Sequence, residues 1–136
     1  MVKKILKDIL IFRKAEPAEK ADIQTAIDLA DTLRANSDIC VGMAANMIGV
    51  NKRIIAFFAG PMVITMMNPK IIKKSKDMYE TEEACLSLDG TRKTMRCREI
   101  EVEFYDLSFN KHKQSFSGFA AQIIQHEIDH CDGRVI

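Results

Sequence analysis

Hydrophobic positions in the first third of the chain recur at helical spacing. Ala21, Ile23, Ile27, Ala30 and Leu33 fall on one face, with polar residues on the other, which predicts an amphipathic helix over 19–36. Pro17 lies just ahead of it, where a helix start tolerates proline. The pattern then changes period. Residues 53–58 and 62–67 are short apolar runs of the strand type, and Gly60-Pro61 between them is a strong turn signal. A further strand is expected over 69–74. Residues 98–107 alternate, with Ile100, Val102, Phe104 and Leu107 set against Glu99, Glu101, Glu103 and Asp106. The polar segment 108–114 reads as a hairpin loop leading to a strand near 115. From Ser117, which offers an N-cap, the pattern is helical to about Cys131, and Phe119, Ala120, Ile123 and Ile124 give this helix an inward apolar side. Helix, several strands, helix is the order of an α+β fold with antiparallel pairing.

Length and composition narrow this picture. A chain of 136 residues has the size of a single domain over 1–136 and can bury one hydrophobic core. With 47% hydrophobic and 29% charged residues, a net charge of +1 and both signs scattered, nothing points to a nucleic-acid or membrane-surface partner. No apolar stretch nears the roughly 20 residues needed to span a bilayer. The start, with Lys3, Lys4 and Lys7 among the first apolar residues, lacks a signal-peptide core, so a cytoplasmic location is expected. In that reducing compartment Cys40, Cys85, Cys97 and Cys131 are not disulfide staples. Their irregular spacing fits no zinc finger, so any special cysteine is a ligand or a nucleophile.

The chemistry concentrates near the C-terminus. Positions 126–130 read His-Glu-Ile-Asp-His. On a helix, His126 and His130 share a face and can present two ring nitrogens to one ion, while Glu127 reaches a neighbouring water as a general base. A catalytic metal usually takes three protein ligands and keeps one position open. Only six residues follow His130, so the third ligand is expected upstream. The candidates are His112 and the cysteines. Cys85, in Glu82-Glu83-Ala84-Cys85-Leu86-Ser87, is the best of them, because a thiolate beside two imidazoles suits zinc or ferrous iron. Cys40, Cys97 and Cys131 read better as core residues.

Three segments in order carry a resemblance. They are Cys40-Val41-Gly42-Met43-Ala44-Ala45-Asn46-Met47, then Glu83-Ala84-Cys85-Leu86-Ser87, then Gln125-His126-Glu127-Ile128-Asp129-His130. Together they resemble the GxGxAAxQ, EGCLS and QHExDH motifs of the peptide deformylase family, and the likeness spans nearly the whole chain. The resemblance implies mixed or antiparallel strands packed around the C-terminal HExxH helix. It implies that Cys85, His126 and His130 bind a metal, usually Fe2+, with Zn2+ or another divalent ion as a substitute. The implied substrates are N-formylmethionyl nascent peptides, met near the ribosome. The backbone at Val41, Gly42 and Ala84 would pair with the peptide as an added strand. Phe119, Gln122, Ile123 and His126 would line the methionine pocket, and Arg92 would stand near the substrate.

The same resemblance gives Glu127 the proton transfers and the backbone N–H of Leu86 a share in holding the oxyanion. Three positions depart from the family pattern. Cys40 and Ala84 replace glycines beside the substrate strand, and Met47 replaces the glutamine whose amide donates to the oxyanion. A thioether donates nothing. Asn46 is a neighbouring amide, but in an extended segment it would face the other way. Two readings follow: a deformylase of reduced activity, or a weakly active or non-catalytic relative that binds formylated peptide ends. Glu127 favours the first, since binding alone needs no general base.

Overall fold

A computed structural model describes residues 1–7, 13–85 and 90–134. A short 3-10 turn at Lys20–Asp22 leads into α1, Ile23–Ala35. Then come β1 (Gly42–Ala44), a 3-10 turn at Ala45–Ile48, β2 (Ile54–Ala59), β3 (Met62–Lys74), β4 (Met78–Ala84), β5 (Thr91–Cys97), β6 (Glu99–Tyr105), β7 (Lys111–Ser117) and α2 (Gly118–Cys131). Five strands form one sheet in the order β1-β2-β3-β6-β7, and β4 and β5 form a separate hairpin. Every pairing between these strands is antiparallel. This is the α+β architecture expected from the pattern.

The sheet lies between two cores. Ile55, Phe57 and Met66 join Ile124 and Ile128 of α2 on one face, with Val102 and Phe104. Ile54, Ala56 and Met67 join Leu29 and Leu33 of α1 on the other. Alternate residues of β2 therefore feed opposite cores, which is why its sequence is an unbroken apolar run rather than an alternating one. The two expected strands at 62–67 and 69–74 are one strand with an irregularity between them. β3 pairs with β2 up to Met67 and with β6 from there on, with a register shift between Met67 and Lys70. Asn68 takes φ 52° at that point, and its side chain bonds the backbone N and O of Ala18 at 2.7 and 2.9 Å. Asparagine tolerates this left-handed conformation better than most residues.

Two expectations need correction. β7 begins at Lys111 rather than near 115, so the hairpin loop is 106–110, where Asp106 Oδ1 accepts from the backbone N–H groups of Ser108 and Asn110. β7 was hidden because it is a solvent-facing edge strand of polar residues (Lys-His-Lys-Gln-Ser), which pairs through its backbone without an apolar face. Ser117 does precede α2, but its side chain makes no capping bond. The β4–β5 hairpin was not expected at all. Its cross-strand pairs, Glu80 with Met95 and Glu82 with Lys93 among them, are largely exposed and carry no apolar alternation.

Candidate metal centre and substrate cavity

α2 packs against β1, β2 and β5–β7, and its buried face runs through Ile123, His126, Glu127 and His130. The i,i+4 spacing brings the two imidazoles to 4.4 Å between ring centres, edge to face. Potential ligand atoms of His126, Glu127 and His130 all lie within 4.8 Å of one another. Cys85, just beyond the end of β4, is buried in the wall of the same cavity, and its sulfur hydrogen-bonds both histidines. The hairpin thus carries the third donor to a helix more than forty positions away in sequence.

The donors are held from behind. His126 Nδ1 lies 2.7 Å from Glu83 Oε1, which leaves Nε2 as its second ring nitrogen. Arg96 on β5 grips Glu83 through Nε and Nη2, and its Nη1 reaches Asp129 Oδ2 at 2.6 Å. Burial would push the Glu83 carboxyl up, but hydrogen bonds with His126 and Arg96 outweigh it and hold the group at about 2. Burial likewise opposes charge on both imidazoles. Bonds to Cys85 and to Glu83 raise His126 to about 9, and bonds to Cys85 and Glu127 raise His130 to about 10. Glu127 Oε1 lies 3.1 Å from His130 Nδ1. Two imidazoles, a thiol and carboxylates converge here, with one histidine already oriented by a carboxylate. That set fits a divalent metal ion of the zinc or ferrous-iron type.

The cavity beside these groups has a volume of about 310 Å³. Val41, Gly42, Ala84, Phe119, Gln122 and Ile123 all line it, as do Ile39, Cys40 and Met47. Phe119 is 61% exposed, so it forms the rim of the cavity rather than the inward packing expected of it. Gly42 passes so close to α2 that a Cβ there would stand 2.7 Å from Ile123 Cγ2 and 3.1 Å from Glu127 Oε2. Only glycine leaves both side chains where they are. Arg92 sits on β5 opposite Glu83 and is not in the cavity wall. Leu86 falls outside the described residues. His112 is on β7, bonded to Asp106 and stacked on Phe104, and takes no part in the site.

Met47 is buried in the 3-10 turn after β1 and faces both the α1 core and the cavity. Asn46 does not stand in for it: its Nδ2 donates to His130 O at 2.8 Å, tying the turn to α2. Cys40 is buried in the wall with its Sγ 2.9 Å from Gly42 O, and burial, aided by nearby Glu127, pushes its thiol up to about 12. Cys97 and Cys131 are core residues, as expected. Sequence reasoning missed Glu83, Arg96 and Asp129. The one available signal was alternation, which puts Glu83 on the same strand face as Cys85.

An open α+β cavity bordered by an HExxH helix and an upstream cysteine defines a metal-dependent hydrolase. The family model for polypeptide deformylase matches residues 2–136. A peptide deformylase of Clostridium beijerinckii is 58% identical over 137 residues and covers the whole of both chains. One from a Picosynechococcus species is 35% identical, covering 94% of this chain and 72% of its own. A class I type b peptide deformylase from Acinetobacter baumannii, with Met-Ala-Ser bound, superposes with a TM-score of 0.87 at 28% identity, covering 98% of this chain and 96% of its own. The chain belongs to the polypeptide deformylase family.

Proposed function

We propose that this protein hydrolyses the formamide bond of peptides that begin with N-formylmethionine, releasing formate and a free amino terminus. The observation that carries this reading is the cluster of His126, Glu127 and His130, with Cys85 in the same wall, beside a cavity of about 310 Å³. Cys85, His126 and His130 hold the ion, which is Fe2+ with Zn2+ as a substitute. When bound, the ion supplies Lewis-acid chemistry at the formyl oxygen. Glu127 takes a proton from the attacking water and returns it to the amine nitrogen as the C–N bond breaks. The Leu86 N–H contributes to holding the oxyanion.

The peptide runs along β1, using the backbone of Val41 and Gly42 on one side and Ala84 on the other. The first side chain enters between Phe119, Gln122 and Ile123. The non-catalytic alternative is not favoured, given a peptide deformylase 58% identical from end to end. Among the described residues no helix is long and apolar enough to cross a membrane. A cytoplasmic site of action, on nascent chains near the ribosome, suits the substrate.

The test is an anaerobic assay of iron-loaded protein on formyl-Met-Ala-Ser, with acetyl-Met-Ala-Ser as control. Formate release from the first alone is expected. No release from either, with metal content verified, overturns the reading.

A further inference from the structure

Where the substrate's first side chain enters, Phe119 and Ile123 of the cavity wall are apolar and Gln122 is not. Gln122 lies one turn before His126 on the cavity face of α2. Its Oε1 accepts a hydrogen bond of 2.8 Å from the hydroxyl of Tyr79 on β4. The Arg98 guanidinium lies 4.8 Å from the centre of the Tyr79 ring and is bonded in turn to Asp77 through Nε at 2.9 Å, so the ring is braced. With the carbonyl oxygen turned to the Tyr79 hydroxyl, the Nε2 hydrogens are the end left for a ligand. Among the described residues nothing accepts from Nε2.

A donor in that position discriminates. When a side chain enters and expels water, an amide N–H left without an acceptor loses its hydrogen bond outright. A hydrocarbon such as norleucine offers none. A thioether sulfur is a weak acceptor. A sulfoxide oxygen, at the same point of the chain, is a strong one. We propose that Gln122, oriented by Tyr79, is a specificity-determining donor that selects a first side chain with an acceptor at the methionine sulfur position. It thereby extends the substrate class to peptides whose formylated methionine has been oxidised to the sulfoxide. The proposal rests on the deformylase reading for the identity of the pocket.

The experiment compares kcat/KM on formyl-Met-Ala-Ser, its norleucine analogue and its methionine-sulfoxide analogue, for the wild type, Gln122→Leu and Tyr79→Phe, each equally iron-loaded. In parallel, the three deformylated peptides are titrated calorimetrically into the loaded proteins. The expected result is that the sulfoxide-to-norleucine ratio falls about tenfold in Gln122→Leu and about threefold in Tyr79→Phe. A general structural loss would lower all three substrates together and leave the ratio alone. If the ratio stays put in Gln122→Leu, or moves there but not in Tyr79→Phe, the proposal fails. Should Gln122→Leu not fold, Gln122→Met carries the same comparison. If no variant turns over any substrate but the binding ratio shifts as expected, the deformylase reading and the extended substrate class fall while the donor role of Gln122 stands; absence of peptide binding to the wild type overturns that role as well.

Discussion

Glu127 has little freedom. It is buried, one carboxylate oxygen lies 3.1 Å from His130 Nδ1, and Gly42 crosses close to the other. A carboxylate so confined beside two prospective ligands is placed for proton transfer more than for solubility. Glu127→Gln keeps the volume and removes the base. Activity should fall about a hundredfold or more with metal content unchanged, measured by formate release and by metal analysis of the same sample. Retention of more than about a tenth of the rate would end the general-base assignment. Met47 poses the opposite question. It reaches the cavity wall yet donates nothing, and Asn46 has spent its amide on the His130 carbonyl. Met47→Gln should therefore raise the single-turnover rate at saturating substrate by about tenfold to a thousandfold, at equal iron loading. An unchanged rate constant would mean that Met47 is packing alone.

At the scale of elements, the β4–β5 hairpin matters more than its polar surface announces. It carries Cys85 to α2 and supports His126 through Glu83, which Arg96 pairs in the interior. Removing the guanidinium leaves a buried carboxylate without its cation. Arg96→Met should thus cost about 3–5 kcal/mol in urea unfolding, far more than loss of an exposed pair such as Lys73 with Glu101. A cost under about 1 kcal/mol would show that Asp129 and Glu83 rearrange to do without it. This hairpin was also the least legible part of the sequence. α1, β6 and α2 each bury a stripe, so their periods are written in apolar residues, and β2, which feeds both cores, shows as an unbroken apolar run. β4, β5 and β7 bury little and are held by backbone pairing, which leaves no periodic trace. The candidate site divides the same way. His126, Glu127 and His130 were readable because three donors on one helix are set by spacing alone. Glu83 and Arg96 were not, because their meeting depends on a strand register that only the folded hairpin defines.

For the whole molecule, the cavity sits where three parts of the chain meet: β1 and its turn, the hairpin end at Cys85, and α2. No one of these holds the donor set by itself. An ion bound to Cys85, His126 and His130 is therefore bound by the native state and only weakly by the unfolded chain, and it stabilises the fold by mass action. With free ion at about a hundred times its dissociation constant the gain is about 2.7 kcal/mol. Urea titrations of iron- or zinc-loaded protein should show a midpoint clearly above that of protein stripped with a chelator, with the slope unchanged. In Cys85→Ser most of that difference should vanish, whereas Met47→Gln should keep it, because position 47 offers no ligand in this assignment. The pairing of the two variants separates the metal from general packing, since both residues are buried in the same wall. Coincident midpoints for loaded and stripped wild-type protein would mean that these donors do not grip an ion in the native state, and the metal assignment would fall with them.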